Sequence, residues 1–194
     1  MHLSNLLPLS LLGLAAAASL PKTSPFHRDQ TVPLSLLAKR ACGETAPQVC
    51  YGVSGGTSQD LDPDDISYAA AFLRYQADNN GNPIWQMPSE FDCSEWTLPL
   101  AGAGTVLALA KHINPRTNSG VTYTDLARTI DGGADATDEQ LAASLLGSCG
   151  KNGGQMGVTV DAADPAYHTS DYLASGMKPA DIIVKLVRNP DPSS

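Results

Sequence analysis

The apolar residues of this chain change their spacing several times, and each change marks an element. Ile66, Ala69, Ala70, Leu73 and Ala77, with Phe72 alongside, recur every three to four residues, the period of one helix face. Pro63 and the acids Asp60, Asp62, Asp64 and Asp65 lie ahead of that run and suit the positive end of a helix dipole. Asn79-Asn80-Gly81-Asn82-Pro83 ends it, so the pattern predicts a helix over 64–78. Val49, Tyr51 and Val53 share one parity and predict a short strand over 48–53. Residues 84–87, between Pro83 and Pro88, predict another, and Thr97-Leu98 a third.

Val106, Leu109, Ala110 and Ile113 fall on one helical face, which predicts a helix over 105–113 stopped by Asn114-Pro115. Leu126, Ala127 and Ile130 predict a short helix over 123–130, terminated by Asp131-Gly132-Gly133. Thr137-Asp138-Glu139-Gln140 has the form of a capping box ahead of Leu141, Leu145 and Leu146, so a further helix starts there. Residues 147–154 form a glycine-rich link. Met156, Val158 and Val160 alternate as in a strand. The β-branched run at 181–187 predicts the last strand. Strands and helices without regular alternation argue an α+β fold: one compact domain, a small antiparallel sheet, and three or four helices on one face.

The front of the chain has a different character. Leu6, Leu7, Leu9, Leu11, Leu12 and Leu14 lead into four alanines, about 13 residues where a membrane span needs about 20. Residues 1–18 therefore read as a signal peptide. Residues 19–40 are rich in Pro, Ser and Thr and read as a propeptide. It closes on Lys39-Arg40, a dibasic site for a kexin-type protease in a flexible stretch. The mature domain would then be 41–194, and the protein would be secreted. Secreted proteins of filamentous fungi resemble this arrangement.

Processing sharpens the charge. Loss of Lys22, Arg28, Lys39 and Arg40 together with Asp29 moves the formal charge from −8 to −11. So acidic a surface repels phosphate backbones and anionic lipid, which excludes nucleic acid as a partner and argues against membrane insertion. All four cysteines, Cys42, Cys50, Cys93 and Cys149, lie after Arg40. An even count in an exported chain points to two disulfides. Of the three pairings open to them, Cys42–Cys50 with Cys93–Cys149 is preferred, because the near pair would staple the new N-terminus and the distant pair would tie the halves. No CxxC and no Asn-x-Ser/Thr sequon occurs.

Candidate chemistry is sparse. Glu90, Asp92 and Glu95 cluster near Trp85 and Trp96, and paired acids beside aromatics are what a glycosidase uses. The same residues also suit a turn beside a disulfide and a tryptophan core. After processing only His112 and His168 remain. His112 is expected to cap a helix end, and His168 to lie in a loop. The Asp60–Asp65 run could face Ca²⁺, but helix-start electrostatics explain it, and no metal or other cofactor is expected. Residues 147–154 fail the spacing of a phosphate-binding loop, and Gly-x-Ser-x-Gly and His-Glu-x-x-His are absent.

Asp92-Cys93, then Gly147-Ser148-Cys149 followed by 156–160, then 181–187, together resemble the secreted fungal necrosis-inducing and killer-toxin-like effectors. About 100 residues are covered, with an extra helix-rich stretch over 121–146. The resemblance implies an α/β sandwich with disulfides, a role in virulence or competition through action on host or competitor cells, and no catalytic residues to transfer. The function expected is thus an effector or toxin-like protein that binds an extracellular protein or carbohydrate. A secreted hydrolase using Glu90, Asp92 or Glu95 is one alternative, and a cell-wall-associated structural protein the other.

Overall fold

A computed structural model describes residues 42–87 and 93–192, all within one compact unit. The expected signal and propeptide, with Lys39 and Arg40, lie outside the described residues, as do Glu90 and Asp92. The fold is α+β. Strands β1 (Val49–Cys50), β3 (Glu95–Thr97), β4 (Val106–His112), β6 (Gly154–Gly157) and β7 (Ile182–Arg188) form an antiparallel sheet in the order β1-β6-β7-β4-β3. Strands β2 (Ile84–Gln86) and β5 (Gly120–Thr122) form a separate antiparallel pair. The helices among the described residues are α1 (Pro63–Asn79), α2 (Tyr123–Asp131), α3 (Asp138–Ala142), α4 (Leu145–Cys149) and α5 (Ser170–Ser175).

Helix α1 begins where its acids predict. Asp62 is the N-cap and accepts from the Asp64 amide, while Pro63 needs no amide partner in the first turn. Ile66, Ala69, Ala70 and Leu73 are buried against the sheet and α2. The neighbouring Asp65 accepts from the amide and hydroxyl of Thr105, both at 2.7 Å, and these bonds hold its carboxyl below the ordinary range. The acidic run is therefore a helix start that also ties α1 to the lead-in of β4. Helix α2 starts at the Thr122 cap and ends at Gly132, whose φ of 89° favours glycine. The Thr137–Gln140 capping box forms in both directions.

Three expectations need correction. Residues 105–113 are not a helix: β4 lies between β3 and β7 in the sheet. Val106, Ala108 and Ala110 face the helices, where Ala108 and Ala110 leave room for α1. Leu109 is buried on the other face, where Lys111 is the polar residue, so the strand shows no clean polar face to reveal a period of two. The helix beginning at 138 stops at Ala142, and a second begins after the Ser144 cap. Gly147 allows that corner, since a Cβ there would overlap the Leu141 carbonyl. The disulfides join Cys42 to Cys93 and Cys50 to Cys149, not the near pair and the far pair.

The disulfide pairing follows from the path of residues 42–48. The Cys42 amide donates to Ile113 at the end of β4, and the Gly157 amide of β6 donates to Ala46. This segment therefore crosses the sheet face opposite the helices before it becomes β1. Cys42 and Cys50 are thereby held at opposite ends of a strap. Each can reach only a cysteine near its own end, Cys93 ahead of β3 and Cys149 at the end of α4. Glu44, mid-strap, pairs with Lys111 of β4 and with Lys185 of β7, the latter at 2.9 Å.

Candidate functional site

Of the acids singled out in the sequence, Glu90 and Asp92 lie outside the described residues, and only Glu95 is described. Glu95 lies on the strap side of β3 and is engaged by Lys185, which also holds Glu44. Burial works against the Lys185 charge, but the Glu95 and Glu44 carboxylates outweigh it and push the ammonium up. Burial would raise Glu44, yet Lys111 and Lys185 pull it below the ordinary range. The group is a bracing network between strap and sheet. Trp85 is 6% exposed and Trp96 is half-buried against the core, so neither ring lies open as a platform.

Of the histidines, His112 differs from its expected surroundings. His112 is buried at the end of β4 and caps no helix, because the segment it ends is a strand. His168 closes a 3-10 turn, Pro165–His168, with Nε2 at 2.9 Å from the Ala162 carbonyl. Asp131 is held by both guanidinium nitrogens of Arg74, at 3.0 and 2.6 Å. The expected link at 147–154 is a helical turn, a 3-10 turn and the start of β6. No group of three metal-binding side chains occurs among the described residues.

A buried polar cluster around Asp125 has no counterpart in the sequence reading. Asp125, in the first turn of α2, has no solvent exposure. Its carboxylate accepts from the Tyr167 hydroxyl at 2.6 Å, Arg128 at 2.9 Å and the Asp161 amide at 3.1 Å. The Tyr167 hydroxyl also accepts from the Thr122 amide, and Tyr172 donates to the Gly120 carbonyl. Burial raises the Asp125 carboxyl despite these donors, and raises Tyr172 to about 12. The Asp125 carboxylate at its centre, without solvent access, can reach no substrate. It fastens residues 161–177 across the β2–β5 pair.

That fastening leaves a cleft of about 460 Å³ beside β2, within the range of small-molecule sites. Ile84 and Gln86 of β2 line it on one side, with Asn82 before them, and Asp171, Tyr172 and Met177 on the other. Its polar groups have defined roles. The Ile84 amide must donate, so Asn82 accepts through Oδ1 and keeps its NH2 available. The Ser175 carbonyl must accept, so Asn118 presents Oδ1 to Gln86, whose amide donates there. Gln86 is left with an acceptor oxygen. Among the described residues, Asp171 is the only acid lining the cleft, and no histidine or lysine lines it. A smaller hollow of about 260 Å³ beside α2 contains Arg74 and Arg128, both already bound to carboxylates.

A second surface feature lies on α1. Tyr68, Phe72 and Tyr75 form a row with adjacent ring centroids 6.0 Å apart. Tyr68 and Tyr75 are 43% and 58% exposed, and the Tyr68 hydroxyl is anchored on the Ala101 carbonyl. Their spacing of i, i+4 and i+7 is that of one helix face, with apolar Phe72 also falling alongside the core side of the helix. The cleft wall was readable too: Thr169 three residues before Tyr172, with Gly176 beyond, has the form of a capped short helix.

In comparisons with known proteins, no family model, no curated protein and no solved structure matches the chain. No helix among the described residues is long and apolar enough to cross a membrane.

Proposed function

We propose that the protein is exported, trimmed after Arg40, and acts outside the cell as an effector or toxin-like protein that works by binding. The observation that carries this reading is the cleft beside β2. It has the size of a ligand site and a mixed lining, yet among the described residues it offers one carboxylate and no histidine, lysine, cysteine or second acid to turn over what it holds. The two disulfides favour an oxidising compartment. The mature charge of −11 favours an extracellular protein or carbohydrate over a nucleic acid as target.

The test is expression with and without residues 1–18 in plant tissue and alongside competing microbes, scored for cell death. Death that requires export supports the reading. Equal activity from the cytosolic form overturns the extracellular target. Absence of any effect on cells, with hydrolysis of a polysaccharide in its place, overturns binding as the function.

A second reading has its own observation. The exposed Tyr68–Phe72–Tyr75 row suits the apolar faces of pyranose rings, which supports association with a cell wall. Co-sedimentation with insoluble chitin or β-glucan tests it. Loss of sedimentation in Tyr68→Ala with Tyr75→Ala supports this reading, and unchanged sedimentation removes the row from it.

A further inference from the structure

We propose that the cleft beside β2 takes an organic cation, an alkylammonium or guanidinium head on an apolar stem. The inference rests on the reading of that cleft as the binding site and names the ligand it would take. Asp171 provides the negative charge and is exposed, so a ligand can reach it. Gln86 adds an acceptor, because the chain of amides from Ser175 through Asn118 uses its NH2 and leaves its oxygen without a partner among the described residues. The Thr169 hydroxyl is occupied, accepting from the Tyr172 amide and donating to the Ala166 carbonyl. The Tyr172 hydroxyl is likewise committed, to Gly120.

Among the described residues, acceptors and one carboxylate therefore outweigh the spare donor, the Asn82 NH2. An anionic head would meet Asp171 and the field of a strongly acidic protein. A neutral polyol would leave the carboxylate without a counter-charge. An ammonium or guanidinium satisfies the carboxylate and the Gln86 oxygen together. Pro83, Ile84 and Met177 line the same cleft and give a methylene stem apolar contact. The shared chemistry has two sources, a lysine or arginine side chain of a partner protein and a free diamine or polyamine.

The experiment is an amide-resonance titration of the disulfide-intact protein with cadaverine, with a blocked lysine-containing tripeptide, and with pentanol and glutarate as neutral and anionic matches. The two amines should shift Asn82, Gln86, Asp171 and Met177, and Asp171→Asn should weaken them about fivefold or more. Asp135→Asn, away from the cleft, should leave binding unchanged. Tighter binding of the peptide assigns the side-chain source, and tighter binding of cadaverine the free amine. Pentanol or glutarate binding as well as the amines overturns the cationic class. A filled cleft separates this failure from failure of the binding reading. If Gln86→Trp, at an exposed strand position, abolishes cell death while the amines shift nothing, the ligand class is wrong and the cleft remains the site. If Gln86→Trp folds with an unchanged melting midpoint and keeps full activity, the cleft is not the site.

Discussion

Replacing Asp125 by alanine tests whether residues 161–177 are held by one buried carboxylate. The substitution leaves the buried Tyr167 hydroxyl and the half-buried Asp161 amide without their acceptor. Each orphaned donor costs about 1–3 kcal/mol. Arg128 is a quarter exposed and regains water, so its loss adds little. Relief from burying a charge offsets part of the cost, consistent with the upward shift of the Asp125 carboxyl. The expected net loss is about 3–4 kcal/mol, a fall in melting midpoint of roughly 6–16 °C for a domain of this size. Asp125→Asn keeps an acceptor for Tyr167 and should cost about 1–2 kcal/mol. Urea unfolding followed by circular dichroism gives both values, provided that the slope is unchanged. A double-mutant cycle with Tyr167→Phe should show coupling of about 1 kcal/mol or more. An alanine variant within about 0.5 kcal/mol of the parent protein would refute the reasoning, as would an asparagine variant as costly as alanine.

Non-reducing peptide mapping should recover Cys42 linked to Cys93 and Cys50 linked to Cys149; a Cys42–Cys50 fragment would contradict the crossing path. The paired change Cys42→Ser with Cys93→Ser opens a bridge spanning 51 residues and should cost about 4 kcal/mol by loop closure. Glu44 has a carboxyl depressed below its ordinary 4.5, so its contribution is fully present above that value and is lost as pH falls through the lower folded value. Glu44→Gln should cost about 1–2 kcal/mol near neutrality and flatten the acid limb of the stability profile, whereas an unchanged acid limb would remove Glu44 from it. Asp125 runs the other way: its raised carboxyl favours the folded state at low pH, and that advantage fades as pH rises through its folded value. Gly147→Ala should lower stability by about 1–3 kcal/mol through the clash with Leu141, measured by thermal unfolding; a neutral effect would show that the corner can relax.

Local chemistry by itself determined α1, α2, the α3 cap, β2 and β7. In each, the start or stop signal and the apolar spacing lie within a few residues of one another, as with Asp62, Pro63 and Ile66. The α+β class followed from the irregular order of those elements. The cysteine count fixed two bridges, but their pairing was decided by residues 42–48 crossing the sheet, a path no local pattern encodes. Strand β4 was hidden for the same reason: its alanines and leucines favour a helix alone, and only cover on both sheet faces makes the strand the lower-energy state. The cleft joins Asn82 and Gln86 to Asp171 and Met177, residues more than 80 positions apart in the chain. The Asp125 cluster brings them together by tying residues 161–177 to α2 and the β2–β5 pair, so the site is a product of long-range hydrogen bonding that sequence spacing does not carry.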